Sequence, residues 1–148
     1  SADVNLHCAA NEKEVCMMSP TRATISTKAA PETIGPYSQA VRSGNMLFVS
    51  GQIGLDPQTG ELVPGGVEAE TDRALRNIEA IVEAGGSCME QVLKTTCFLR
   101  GMGDFPTFNR VYERYFKTEP PARETVAVAG LPKGALVEVS CMAVVHES

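Results

Sequence analysis

The sequence predicts a single α/β (α+β) domain: a mixed sheet of five to six strands with two helices on one face. Three observations predict it. The chain has 148 residues, which is one ordinary domain. Its apolar residues alternate in short runs and twice change to helical spacing. Its last run, Leu136 to His146, is apolar on both sides, as a strand inside a sheet must be.

The elements follow in order. Residues 1–22 are mixed and aperiodic and read as a flexible N-terminal extension, with the organised domain over 23–148. Ala23 to Lys28 suits a short strand, and Thr33 to Ser38, with Gly35 and Pro36, a loop. Asn45 to Ser50 is a strand running into a corner at Gly51-Gln-Ile-Gly54, and Asp56-Pro-Gln-Thr-Gly60 is a turn. From Val67 to Ala84 the period becomes helical: Val67, Thr71, Ala74, Leu75, Ile78, Ile81 and Val82 share one face, and Gly85-Gly86 ends it. Gln91 to Arg100 is the next strand. A second helix starts at Asp104, with Pro106 tolerated in its first turn and Phe105, Phe108, Tyr112 and Tyr115/Phe116 as its apolar stripe. Glu124 to Ala129 and Leu136 to His146 are the closing strands, joined by the turn Leu131-Pro-Lys-Gly134.

Two helices cover one sheet face and not both. In the last strand Val137, Val139, Cys141, Ala143 and Val145 point one way and Leu136, Met142 and Val144 the other. The second apolar face needs a cover, and another copy of the chain is the expected one.

Composition narrows the function. Hydrophobic residues make up 43% and charged residues 21%, which supports a core and excludes a globally disordered chain. A net charge of −5 with no run of Lys or Arg repels a phosphate backbone, so nucleic acid is not an expected partner. No stretch reaches the ~20 apolar residues that span a bilayer, so no membrane partner is expected. The first twenty residues carry Asp3, Glu12, Lys13 and Glu14 and do not read as a signal or transit peptide. The expected compartment is the cytoplasm, with an organelle left open because the chain starts at Ser1. Cys8, Cys16, Cys88, Cys97 and Cys141 are odd in number and irregularly spaced, and His7 and His146 stand near opposite ends. Reduced thiols fit better than a disulfide framework or a metal site.

Arg123 opens a strand just after Pro120-Pro121-Ala122, so its guanidinium is aimed from a rigid start. A guanidinium fork suits a small carboxylate. Glu138 interrupts the second apolar face of the last strand, where a carboxylate is costly unless paired or used for proton transfer. If the two strands are neighbours, both groups reach one pocket. Taken alone, Arg123 also reads as a surface ion pair and Glu138 as a strand-end group meeting solvent or Lys133. Tyr37 follows a turn that can present its phenol, or is an ordinary half-buried aromatic. Ser50 and Gly51 sit in a corner with exposable N–H groups. Asn109 lies off the apolar stripe of its helix. Cys97 and Cys141 read as small core residues.

Together these residues carry a resemblance. From about Ile25 to the C-terminus the chain resembles the RidA/YjgF family of reactive-intermediate deaminases. It does so through Ile34-Gly-Pro-Tyr-Ser-Gln39, Phe48-Val-Ser-Gly-Gln-Ile53, Asn77-Ile-Glu-Ala-Ile81, Asp104-Phe-Pro-Thr-Phe-Asn109, Tyr112-Glu113, Pro121-Ala-Arg123, Leu131-Pro-Lys133 and Val137-Glu-Val139. The resemblance implies a chorismate-mutase-like fold and a homotrimer with active sites in the clefts between subunits. It implies hydrolysis of enamine/imine intermediates such as 2-aminoacrylate to a 2-oxo acid and ammonia, without cofactor or metal. Arg123, Glu138 and Tyr37 match the family's catalytic positions; Ser50, Gly51, Asn109 and Arg123 match its substrate-binding ones. Two positions depart from the pattern. Glu124 should point to the other sheet face, whereas Thr125 offers the pocket a hydroxyl where many relatives have a thiol. Other relatives are described as ribonucleases or translation inhibitors, and a non-catalytic metabolite-binding or chaperone-like trimer is a third reading.

Overall fold

The structure, a computed structural model, describes residues 12–14 and 21–146. The extension expected over 1–22 therefore lies almost wholly outside the described residues. Among the described residues six strands form one sheet: β1 (Arg22–Ile25), β2 (Ala40–Ser43), β3 (Met46–Gln52), β4 (Val92–Leu99), β5 (Ala122–Ala127) and β6 (Val137–Val144). Helix α1 (Gly66–Ala84) lies between β3 and β4, and helix α2 (Phe105–Tyr115) between β4 and β5. The spatial order is β1-β2-β3-β6-β4-β5. Only β4 and β5 run parallel, because α2 carries the chain back between them; every other pair is antiparallel.

Strand β2 escapes the sequence pattern. Four residues, Ala-Val-Arg-Ser, are too few for alternation to register. The hairpin closes because Gly44, at φ +58°, takes a backbone conformation that side chains disfavour. It sets Ser43 opposite Met46 and Ala40 opposite Val49.

The core fills the space between the helices and one sheet face. Leu47, Val49, Val92, Cys97, Leu99, Val137, Val139, Cys141 and Ala143 meet Ala74, Leu75, Ile78, Ile81, Val82 and Phe108 there, all buried. Side chains of this size contribute ~1.5–3 kcal/mol each when fully buried. Helix α1 stops where expected: Gly85 N–H donates to Ile81 O, and Gly86 at φ +88° turns the chain so that Ser87 N–H reaches Val82 O. Neither α1 nor α2 covers the opposite sheet face. Phe48, 44% exposed, lies there opposite Met142, and Val126, 48% exposed, lies on the same face further across the sheet. The two-sided apolar character expected of the last strand is present.

Candidate active site

The two candidate groups are built on different parts of the sheet. On the carboxyl side, β3 pairs with β6 as Val49 opposite Cys141 and then Gln52 opposite Val139. Ser50 and Gly51 thus share the span of Ser140, a bulge of the kind that re-aims chain next to a site. It brings Gly51 down onto Glu138: a Cβ added to Gly51 would lie 2.7 Å from the Glu138 carboxyl carbon. Ser50 ties this corner to the preceding loop, its Oγ donating to Ser38 O at 2.6 Å and its N–H to Gln39 O at 2.9 Å. Gln39, 4% exposed, holds that loop in turn. Its Oε1 accepts Thr27 N–H, and its Nε2 donates to the carbonyls of Thr27, Ala30 and Pro31. The loop so held presents Tyr37. Tyr37, Ser50, Gly51 and Glu138 then line one cavity of about 340 Å³, walled on its apolar side by Ile34, Ile53 and Leu55. Burial pushes the Glu138 carboxyl above the usual carboxylate range. Lys133, the partner weighed for it, donates instead to Gly60 O at 2.8 Å.

On the cationic side, Arg123 pairs in register with Thr95 and Thr125 with Cys97, so both point toward α2. The Arg123 guanidinium stacks 4.7 Å from the Tyr112 ring centroid and 5.4 Å from that of Phe105. Its Nη1 donates to Asn109 Oδ1 at 2.8 Å, which gives Asn109 a role the helix pattern left open. Tyr112 is itself fixed by a 2.7 Å hydrogen bond between its hydroxyl and Thr95 Oγ1. Among the described residues Arg123 makes no ion pair, so most of its donor fork remains for a ligand. The Thr125 hydroxyl is buried beside it. Glu124 points to the opposite face as expected and pairs with Lys94 at 2.6 Å. Cys97 and Cys141 are core thiols, pushed up by burial to about 11 and about 12, and are poor nucleophiles at neutral pH.

One expectation needs correction. The strands of Arg123 and Glu138 are not neighbours, because β4 stands between β5 and β6. Glu138 pairs with Phe98 and Arg123 with Thr95 on the other side of β4's alternation, so the two side chains leave the sheet on opposite faces. A single chain therefore holds two half-sites: Tyr37, Ser50, Gly51 and Glu138 in one, and Asn109, Arg123 and Thr125 in the other. Gln39 and Tyr112 stand in runs that carry the resemblance, but the sequence assigns neither a supporting role: Tyr112 also reads as part of an apolar stripe, and Gln39 adjoins a strand too short to read.

The family model described as Endoribonuclease L-PSP matches residues 27–145. The chain belongs to that family, the family of RidA and YjgF. Curated relatives within it include the mouse 2-iminobutanoate/2-iminopropanoate deaminase, 48% identical over 86% of this chain and 95% of its own length. The human protein of the same description is 47% identical over 86% and 93%. Among solved structures, Escherichia coli TdcF with bound serine shares 41% identity at a TM-score of 0.80, covering 84% of this chain and 99% of its own. RidA from an Antarctic Psychrobacter shares 41% at 0.81, covering 83% and 99%. This family member is thus an α+β protein of the L-PSP/RidA fold, and the match spans both half-sites.

Proposed function

We propose that this RidA-family chain is a hydrolytic deaminase of small 2-imino acids, converting 2-aminoacrylate or its imine tautomer with water into pyruvate and ammonia. The observation that carries the reading is the Arg123 fork, held by Asn109 and Tyr112 and committed to no carboxylate of its own among the described residues. It grips the substrate carboxylate with parallel hydrogen bonds. Water adds to the imine carbon as the nitrogen takes a proton. The carbinolamine then collapses, the C–N bond breaks, and ammonia leaves as the carbonyl forms. Glu138 sits in a partly desolvated cavity that raises its affinity for a proton, the property a group needs to hold and return one near neutral pH. Tyr37 closes the pocket over it, with Ser50 and Gly51 as its floor, and Thr125 supplies a hydroxyl beside Arg123. Deaminase relatives at 48% and 47% identity, and a solved relative holding serine, support an amino-acid-sized carboxylate as ligand.

The half-sites face away from each other within one chain, so a complete site joins Arg123 of one copy to Glu138 of another. A homotrimer closed by the exposed sheet face, with one cleft per interface, provides this. The family description also names an endoribonuclease. A net charge of −5 opposes a phosphate backbone, and RNA is not the substrate proposed.

The test follows loss of freshly generated 2-aminoacrylate and appearance of pyruvate, with RNA cleavage assayed on the same preparation. Arg123→Ala should abolish deamination while keeping fold and assembly, since truncating one partner of a desolvated charge pair costs ~2–5 kcal/mol. Arg123→Lys should recover little, because a point charge lacks the fork. A folded Arg123→Ala protein working at the wild-type rate would overturn the mechanism. RNA cleavage with no deamination would replace the function.

A further inference from the structure

Helix α1 carries polar groups inside its apolar face. Glu70 is 6% exposed and Asn77 fully buried, two turns apart on one side of the helix. A buried carboxylate and a buried amide are costly unless satisfied, and their partners lie off the helix. Glu70 Oε1 accepts the N–H of Leu136 at 3.0 Å. Asn77 Nδ2 donates to Ile53 O at 3.2 Å and Leu55 O at 3.0 Å. Arg73 orients that amide, its Nε and Nη2 both donating to Asn77 Oδ1 at 3.0 and 2.8 Å.

The segments so held are the two that meet at the Glu138 carboxyl. Leu136 stands just before β6 and two residues before Glu138, its carbonyl accepting the N–H of Arg100 at 3.0 Å while its own N–H goes to Glu70. Ile53 to Leu55 continue the chain directly from the Ser50–Gly51 bulge, beyond the end of β3. Their carbonyls have left the ladder to β6, and the Asn77 amide takes the place of that ladder. Gly54 seats the corner on the helix itself: a Cβ there would fall 2.7 Å from Glu70 Cα. Neither Glu70 nor Asn77 lines the cavity that Glu138 enters.

We propose that Glu70 and Asn77 are positioning residues for Glu138, clamping to one helix the two segments whose contact sets where that carboxyl stands. The proposal rests on the acid/base reading of Glu138 given above.

Glu70→Met removes the acceptor at similar volume, whereas Glu70→Gln keeps a carbonyl oxygen for Leu136 N–H. On imine generated in situ, Glu70→Met should lower kcat about tenfold or more and leave KM within about twofold, since Arg123 is untouched. Glu70→Gln should return most of the rate. In a Glu138→Gln background Glu70→Met should cost nothing further, because residues acting through one group are not additive. The Glu138 carboxyl, followed by ¹³C NMR, should titrate at a shifted midpoint in Glu70→Met and near the wild-type midpoint in Glu70→Gln. Arg73→Met, which leaves Asn77 present but unoriented, should show the same pattern more weakly and serves where Glu70→Met does not fold. A folded Glu70→Met with unchanged kcat, or an equal loss with and without the Glu138 carboxyl, overturns the proposal. If Glu138→Gln itself works at the wild-type rate, the acid/base reading fails instead. The NMR midpoint then decides positioning alone, and an unmoved midpoint overturns it.

Discussion

Arg123 and Glu138 leave one sheet on opposite faces with β4 between them. No rotamer change brings the two together within a chain, so the proposed function requires the half-sites to meet across an interface. Head-to-tail contact of this kind closes into a ring when the rotation permits.

That arrangement predicts complementation. Chains carrying Arg123→Ala should be inactive alone, and chains carrying Glu138→Gln should keep only a small residual rate. Co-expressed in equal amounts with distinct tags, they should form mixed assemblies, and in a mixed trimer about one site in three receives both intact halves, as a heterologous ring requires. Purification through both tags followed by the imine assay measures it. Activity no greater than the sum of the single variants would place both groups of a site on one chain.

Gly51 offers a separate handle on Glu138. The Cβ of a Gly51→Ala variant would lie 2.7 Å from the Glu138 carboxyl carbon and 2.9 Å from Oε2. The obstructing atoms are the free end of a flexible side chain, so the carboxyl moves and the backbone does not. Melting temperature should stay within a few degrees of wild type while turnover falls ~10²-fold, the scale expected for a misplacement near 1 Å. A product carboxylate should still bind through Arg123. Wild-type turnover in this variant would mean that the position of the carboxyl does not matter.

The buried thiols predict a chemical pattern. With its thiol pushed up to about 11 by burial, Cys97 is ionised in only about one molecule in a thousand at pH 8. Cys141, pushed up to about 12, is ionised less still. Cys88 is partly exposed and open to reagent. Iodoacetamide on the native protein should therefore modify Cys88 and spare Cys97 and Cys141, as read by peptide mass spectrometry, and unfolding should expose all three. Rapid native labelling of Cys97 would show that the core beside Arg123 opens.

Much of this protein is legible in order along the chain, because its signals are local. The period of Val67 to Ala84 and the Gly85-Gly86 stop depend on residues within a few turns of each other, and α1 stands where they put it. The alternation of Val137 to Val145 likewise tells which residues share a face, and the aromatic stripe from Phe105 to Phe116 marks α2. The residue types of the site were also readable: an Arg after a double proline, a carboxylate breaking an apolar strand face, a tyrosine after a turn. Strand β2 was not, since four residues carry too little pattern to separate from the loop around them.

What the tertiary structure alone decided is which of those residues face each other. Strand order is set by how the crossover through α2 returns the chain, and β6 inserts between β3 and β4 although it comes last in sequence. That insertion separates Arg123 from Glu138, and the register on β4 sends them to opposite faces. The bulge at Ser50–Gly51, the Gln39 hold on the loop of Tyr37 and the Asn77 hold on Ile53 and Leu55 are likewise invisible in composition or period. Each joins residues from 8 to about 90 positions apart, through hydrogen bonds that burial favours by leaving those groups no water. Residue identity fixes the chemistry available to this chain; the long-range pairing of its buried polar groups decides where that chemistry is assembled.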